Sequence, residues 1–219
     1  TYAVARKRED KKLRFYSMNF EELGMIESSL EHIVYQKEND WTNYPKGVIW
    51  SMDTKGYRVD KGMDILFYGT IPNGSGLSSS ASIEVLTGFV WNDMFNLKID
   101  LIDLAMIGQY AENNFNGVKC GIMDQFAIAM GKKDHAIFLD TADLSYEYAP
   151  MELEHAKVII LNTNKKRSLG DSKYNERRTE CETALAELQK VVNIKSLGEL
   201  SEDEFETYKG AIADPIRVL

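Results

Sequence analysis

Phe67-Tyr68-Gly69-Thr70-Ile71-Pro72-Asn73-Gly74-Ser75-Gly76-Leu77-Ser78-Ser79-Ser80-Ala81 is the stretch on which the fold turns. Ahead of it Met63, Ile65 and Phe67 alternate with Asp64, Leu66 and Tyr68, the period of a strand; behind it Ala81, Val85 and Phe89 recur at helical spacing. The segment predicts strand, glycine loop, helix. Gly74 and Gly76 permit backbone angles closed to other residues, and Ser78, Ser79 and Ser80 bring hydroxyls to the start of the helix. Such a start has unpaired N–H groups and a partial positive charge, which suits a phosphate. The spacing is not that of a Walker loop, since no Gly-x-x-x-x-Gly-Lys-Ser/Thr occurs. Nor is it a dinucleotide fingerprint, whose third glycine would fall at Ser79. On spacing alone the stretch reads equally as a serine-rich helix cap.

Outward from the loop, Tyr2 to Glu9 and Lys12 to Met18 read as two strands joined as a hairpin at Glu9-Asp10-Lys11. Residues 19–40 read as a long connection in which Leu23, Ile26, Leu30 and Ile33 allow a helical turn. From Trp41 a helix is predicted through Tyr44, Val48, Ile49 and Met52, with Thr42 or Asn43 as cap, Pro45 in the first turn and Gly56 past the end. After the loop come a helix from about Ser79 to Phe95 and a second from Leu101 to Phe115, opened by Asp100, with Glu112 at its far end. A tight segment from Gly117 leads into a short helix at Phe126. Strands are predicted near Ala136 to Leu139 and Val158 to Leu161, and a long helix from Ser172 to about Val192. Helices and strands without strict alternation favour the α+β class.

The 219 residues are 44% hydrophobic, enough for a core, and carry a net charge of −8. That acidity, with Lys165-Lys166-Arg167 no more than a short basic triplet, argues against a nucleic-acid surface. No apolar run approaches the ~20 residues of a membrane span. Cys120 and Cys181 lack metal or redox spacing and read as reduced thiols of a cytoplasmic protein; His32, His135 and His155 form no metal motif. Thr1 opens directly on a strand pattern and Leu219 closes an uncapped apolar run, so both ends read as cut.

Asp124, in Gly121-Ile122-Met123-Asp124-Gln125-Phe126, reads from spacing alone as a helix cap, Glu112 as a solvated carboxylate and Tyr174 as an amphipathic tyrosine at a helix start. Three strings say more. Pro72 to Ser82 closely resembles the phosphate-binding loop of the GHMP kinases. Gly121 to Phe126 looks like the catalytic segment of that family's galactokinase branch. Leu161 to Asn164 with Asp171 to Arg178 is similar to the segment in which that branch contacts its sugar. The strings agree in order and spacing over essentially the whole chain.

The resemblance implies a GHMP kinase N-terminal domain of the ribosomal protein S5 domain 2-like α+β fold over residues 1–155. The incomplete beginning of a ferredoxin-like C-terminal domain would follow over 156–219. It implies ATP and α-D-galactose as small-molecule partners, transfer of the γ-phosphoryl group to the sugar 1-hydroxyl, Mg²⁺ as cofactor, and a monomeric full-length enzyme. By the same match Asp124 is catalytic, and Ser17, Gly74, Ser75, Gly76, Leu77, Ser78, Ser79 and Ser80 hold nucleotide. Gly121, Asp124 and Tyr174 contact the sugar, and Ser80 with Glu112 holds the metal. Kinases of N-acetylgalactosamine, mevalonate or homoserine, and a non-catalytic sugar sensor, stay open; the Asp124 string favours a hexose over mevalonate or homoserine. The family's opening Gly-Arg-x-Asn-x-x-Gly-Glu-His segment, with its arginine for the catalytic aspartate, and a later glycine-rich stretch have no counterpart here. The 219 residues alone are therefore expected to be inactive.

Overall fold

In the computed structural model of the chain, β1 (Tyr2–Lys7), β2 (Lys12–Ser17), β3 (Ile26–Ser29) and β4 (Met63–Tyr68) form one sheet in the order β1-β4-β2-β3. The structure describes residues 1–72, 75–162 and 172–214. Two units are distinguished, Thr1–Ser168 and Leu169–Leu219. β4 runs antiparallel to β1 and parallel to β2, with Ile65 opposite both Ala5 and Phe15. Because side chains alternate across a strand, Leu13, Phe15, Met63, Ile65 and Phe67 share the inner face, and all are buried.

Four helices accompany the sheet: α1 (Asn43–Thr54), α2 (Ser79–Phe95), α3 (Leu101–Asn114) and α4 (Met123–Met130). Val48, Ile49 and Met52 of α1, Trp91 of α2, and Leu104, Ile107 and Ala111 of α3 form one core with the inner face of the sheet. Asp100 opens α3 as expected, its side chain accepting from the Asp103 N–H at 2.8 Å. At α1 the predicted cap is used differently. Thr42 donates its hydroxyl to the Asn39 carbonyl, and the Asn43 carboxamide binds the backbone of Gln36. A small hairpin, β5 (His135–Leu139) with β6 (Tyr146–Pro150), packs Ile137, Leu139 and Tyr146 against Ile122 and Phe126.

The predicted β1–β2 hairpin does not form, because β4 lies between its two arms. With a turn at residues 9–11, a hairpin would set Arg6 opposite Arg14 and Arg8 opposite Lys12, and facing like charges are destabilising. The observed order puts Asp64 between them, accepting from Arg6 Nη2 at 2.6 Å, Arg8 Nη1 at 2.8 Å, and Arg14 Nε and Nη2 at 2.7 Å each. The chain passes round the start of β4 at Gly62, whose N–H donates to the Asp10 carbonyl and whose carbonyl accepts from Arg8 N. A Cβ there would stand 1.8 Å from the Lys12 carbonyl oxygen, so this crossing admits only glycine.

Two further expectations change. The helical turn allowed within residues 19–40 is a 3₁₀ turn at Glu21–Leu23 followed by strand β3, which pairs Ile26 with Phe15 on β2; the neighbouring edge outweighs weak local periodicity. The run Val158 to Leu161 is not a strand. It pairs with nothing among the described residues, and its side chains are 61–85% exposed.

The second unit contains α5 (Ser172–Leu188), which ends four residues before the predicted Val192, and α6 (Glu202–Tyr208), which sequence reading did not reach. Ala184, Leu188, Ile194 and Ile212 form its core, and Ser201 and Glu204 cap α6 reciprocally. Among the described residues no helix is long and apolar enough to cross a membrane.

Candidate active site

The loop leaves β4 under a clamp. The Asn19 carboxamide donates to the Gly69 carbonyl at 2.8 Å and accepts from the Gly69 N–H at 2.7 Å, which fixes the direction in which the chain departs. Ser75 donates its hydroxyl to the Pro72 carbonyl at 2.7 Å. Gly76 has φ +77° and Ser78 φ +55°, so two left-handed residues turn the chain into α2. No side chain caps this helix, whose first i→i−4 bond runs from Ser82 N to Ser78 O. The N–H groups of Ser79, Ser80 and Ala81 thus have no intrahelical partner, an arrangement that receives an anion. Gly74 lies outside the described residues. Ser17 pairs with Phe67 at the strand end from which the loop departs, but it is only 4% exposed and its hydroxyl accepts from Asn19 N. Beside it, Phe20 stacks on Trp41 at 6.3 Å.

One turn beyond Ser80 on the same face of α2 is Glu84, fully buried. Glu112, on the last turn of α3, is 7% exposed, and fully buried Gln125 of α4 lies between the two carboxylates. Gln125 Nε2 donates to Glu112 Oε2 at 2.7 Å and to Glu84 Oε2 at 3.0 Å. Gly108 leaves room for this bridge: a Cβ there would come within 3.2 Å of Gln125 Cγ and 3.5 Å of Glu84 Cβ. Burial first, then the charge of Glu112, pushes the Glu84 carboxyl well above the ordinary carboxylate range, so Glu84 is the member of the pair that keeps a proton. Burial also raises Glu112, opposed by hydrogen bonds from Ser80, Cys120, Glu84 and Gln125. The Cys120 thiol donates to Glu112 Oε2 at 3.6 Å, and burial pushes it up to about 12.

Ser80 and Glu112, paired in the sequence reading, are brought together. Among the described residues no group of three or more His, Cys, Asp or Glu could hold a metal unaided. One hydroxyl and one carboxylate nonetheless suit a hard cation that brings phosphate oxygens and waters as its other ligands.

Asp124 stands in the first turn of α4, exposed, with no hydrogen bond or ion pair among the described residues. It precedes Gln125 directly, so the same short helix carries the free carboxylate and the amide that grips Glu112. Gly121 is exposed, and a Cβ there would meet no neighbour within 4 Å, so packing within this chain does not require the glycine. Tyr174 belongs to the second unit, on α5, and is 55% exposed. Sequence reasoning missed Glu84, Gln125 and Gly108. The available signal was spacing: Ser80 with Glu84, and Gly108 with Glu112, are each four residues apart on one helical face.

The site thus combines a glycine loop feeding an uncapped helix, a hydroxyl beside a buried carboxylate, and a free aspartate on the next helix, a set that suits a phosphate with a hard cation. Residues 43–132 match the GHMP kinases N terminal domain. The chain is 60% identical to the galactokinase of Clostridium beijerinckii over 99% of its own length and 56% of that protein. It is 56% identical to the galactokinase of Streptococcus mutans over 100% of its length and 56% of that relative. Among solved structures, Lactococcus lactis galactokinase complexed with galactose superposes with a TM-score of 0.93 at 46% identity, covering 99% of this chain and 56% of that one. The chain thus spans a little over half the length of the curated relatives it matches.

Proposed function

We propose that this chain carries the phosphate loop, metal carboxylate and catalytic carboxylate of an ATP-dependent galactokinase, which transfers the γ-phosphoryl group of ATP to the 1-hydroxyl of α-D-galactose. The observation that carries the reading is the convergence of the Ser80 hydroxyl, Glu112 and α4 on one buried bridge at the mouth of an uncapped helix. High identity to galactokinases along the whole chain supports the choice of sugar.

In this reading the N–H groups at the start of α2, with Ser75 to Ser79 and Gly74, cradle the ATP phosphates, and Ser17 lies by the nucleotide. Ser80 and Glu112 hold Mg²⁺, which when bound neutralises charge on the transferring phosphates. Asp124, facing no cation of its own among the described residues, orients the sugar hydroxyl and takes its proton or balances the charge on its oxygen. Gly121 and Tyr174 line the sugar. Residues 156–219 contribute the first part of the second domain, and the enzyme works in the cytoplasm as a monomer. The test is a coupled assay of ADP release by the full-length protein that contains these residues, with a panel of galactose, N-acetylgalactosamine, glucose, mevalonate and homoserine. Magnesium-dependent turnover with galactose is expected; none with galactose, or preference for another acceptor, would overturn the proposal.

A further inference from the structure

We propose that Gln125 is a positioning residue for the magnesium carboxylate: its amide, braced on Glu84, holds Glu112 turned toward Ser80. The inference rests on the reading of Glu112 and Ser80 as the metal pair. A primary amide nitrogen has two N–H bonds, and here each goes to a different carboxylate, at 2.7 Å to Glu112 and 3.0 Å to Glu84. The three side chains come from α2, α3 and α4, so the bridge joins the helix behind the phosphate loop, the helix bearing Glu112 and the helix bearing Asp124. Glu84 and Gln125 are fully buried and touch solvent nowhere, which makes them unsuited to meet substrate directly. Their remaining oxygens, Glu84 Oε1 and Gln125 Oε1, are buried without a hydrogen-bond partner, a cost tolerated in exchange for the contacts the pair makes with Glu112. Gly108 adds an independent sign, since its missing side chain leaves the slot that Gln125 Cγ fills. A carboxylate at a helix end otherwise turns freely about its terminal bond, and partners behind a ligand characteristically set about 10–100-fold in metal affinity.

The experiment compares ATP affinity by calorimetry in excess Mg²⁺ and in EDTA, using the full-length protein and its Gln125→Met variant, which keeps length and loses both donors. The Mg²⁺-dependent gain in affinity is expected to fall about tenfold, with affinity in EDTA, galactose affinity and fold unchanged. Where the single variant does not fold, Glu84→Met combined with Gln125→Met removes donor and acceptor together, strips Glu112 of both buried partners, and spares the core an orphaned carboxyl. Glu84→Gln, which keeps an acceptor for Gln125, is expected to retain the gain. An unchanged Mg²⁺ gain in the methionine variants, or an equal loss with and without Mg²⁺, would overturn the role of Gln125. A wild-type protein indifferent to Mg²⁺, or one in which Glu112→Gln changes nothing, would instead overturn the metal reading beneath it.

Discussion

Asp124 and Glu112 are both carboxylates on neighbouring helices, and their surroundings give them opposite work. Glu112 is enclosed by donors and nearly inaccessible, whereas Asp124 stands in solvent at the start of α4. A carboxylate left without a partner is available to a substrate hydroxyl. In the full-length protein Asp124→Asn is expected to keep the fold and most of the ligand affinity while lowering kcat at least about 10²-fold, since charge is removed with little change of shape. Steady-state kinetics with calorimetric affinities checks this, and a near-normal kcat would reduce Asp124 to a helix cap. Ser80 and Glu112 were paired from their local strings, and the structure brings the two together. Gln125 and Glu84 were not legible in the sequence, because a buried polar residue declares itself only through the partner it meets, and these partners come from three separate helices.

At the scale of the element, Gly108 and Asp64 each do something their position alone does not announce. Glycine inside a helix costs about 1 kcal/mol relative to alanine, so Gly108→Ala would stabilise an isolated α3. In the protein the new Cβ meets Gln125 Cγ at 3.2 Å, and two hydrogen bonds hold that side chain in place. The expected outcome is a net loss of about 1 kcal/mol in denaturant unfolding, with a weaker Mg²⁺ dependence of ATP binding; a gain in stability would mean that Gln125 yields freely. Asp64 gathers three arginines across three strands, and hydrogen bonds from Arg14, Arg6 and Arg8 hold its carboxyl far below the usual range. Because the unfolded chain takes up this proton more readily, the contribution is complete above about pH 4 and drains as pH falls further. Asp64→Asn is expected to cost about 1–3 kcal/mol at pH 7 and much less near pH 2, measured by urea unfolding at both. A helix start with a local signal was readable, as at Asp100, whereas the end of α5, which has none, was read four residues too late. The sheet order was not readable, because the decisive strand arrives some fifty residues after the two it separates and no local pattern names its place.

Over the whole molecule, four consecutive large apolar side chains, Val158 to Leu161, stand in solvent, with exposures of 71, 78, 61 and 85%. Such a run, apolar and without a charge, invites association with another chain. In the 219-residue protein, Ile160→Lys is expected to lower dye binding and light scattering at equal concentration without shifting the unfolding midpoint. Unchanged scattering would place self-association elsewhere on the surface.

The central position of β4 also bears on how the protein is made. During synthesis β1 and β2 leave the ribosome before β4, so Ala3 must wait for Phe67 and Leu13 for Met63. At ordinary translation rates that wait lasts about 3–12 s, far longer than two adjacent strands need to close on each other. The arginines that Asp64 will later gather act in the meantime as a kinetic guard. Arg6 against Arg14 and Arg8 against Lys12 repel in the premature hairpin, and the gap between the two nascent strands stays open until the strand that belongs there emerges.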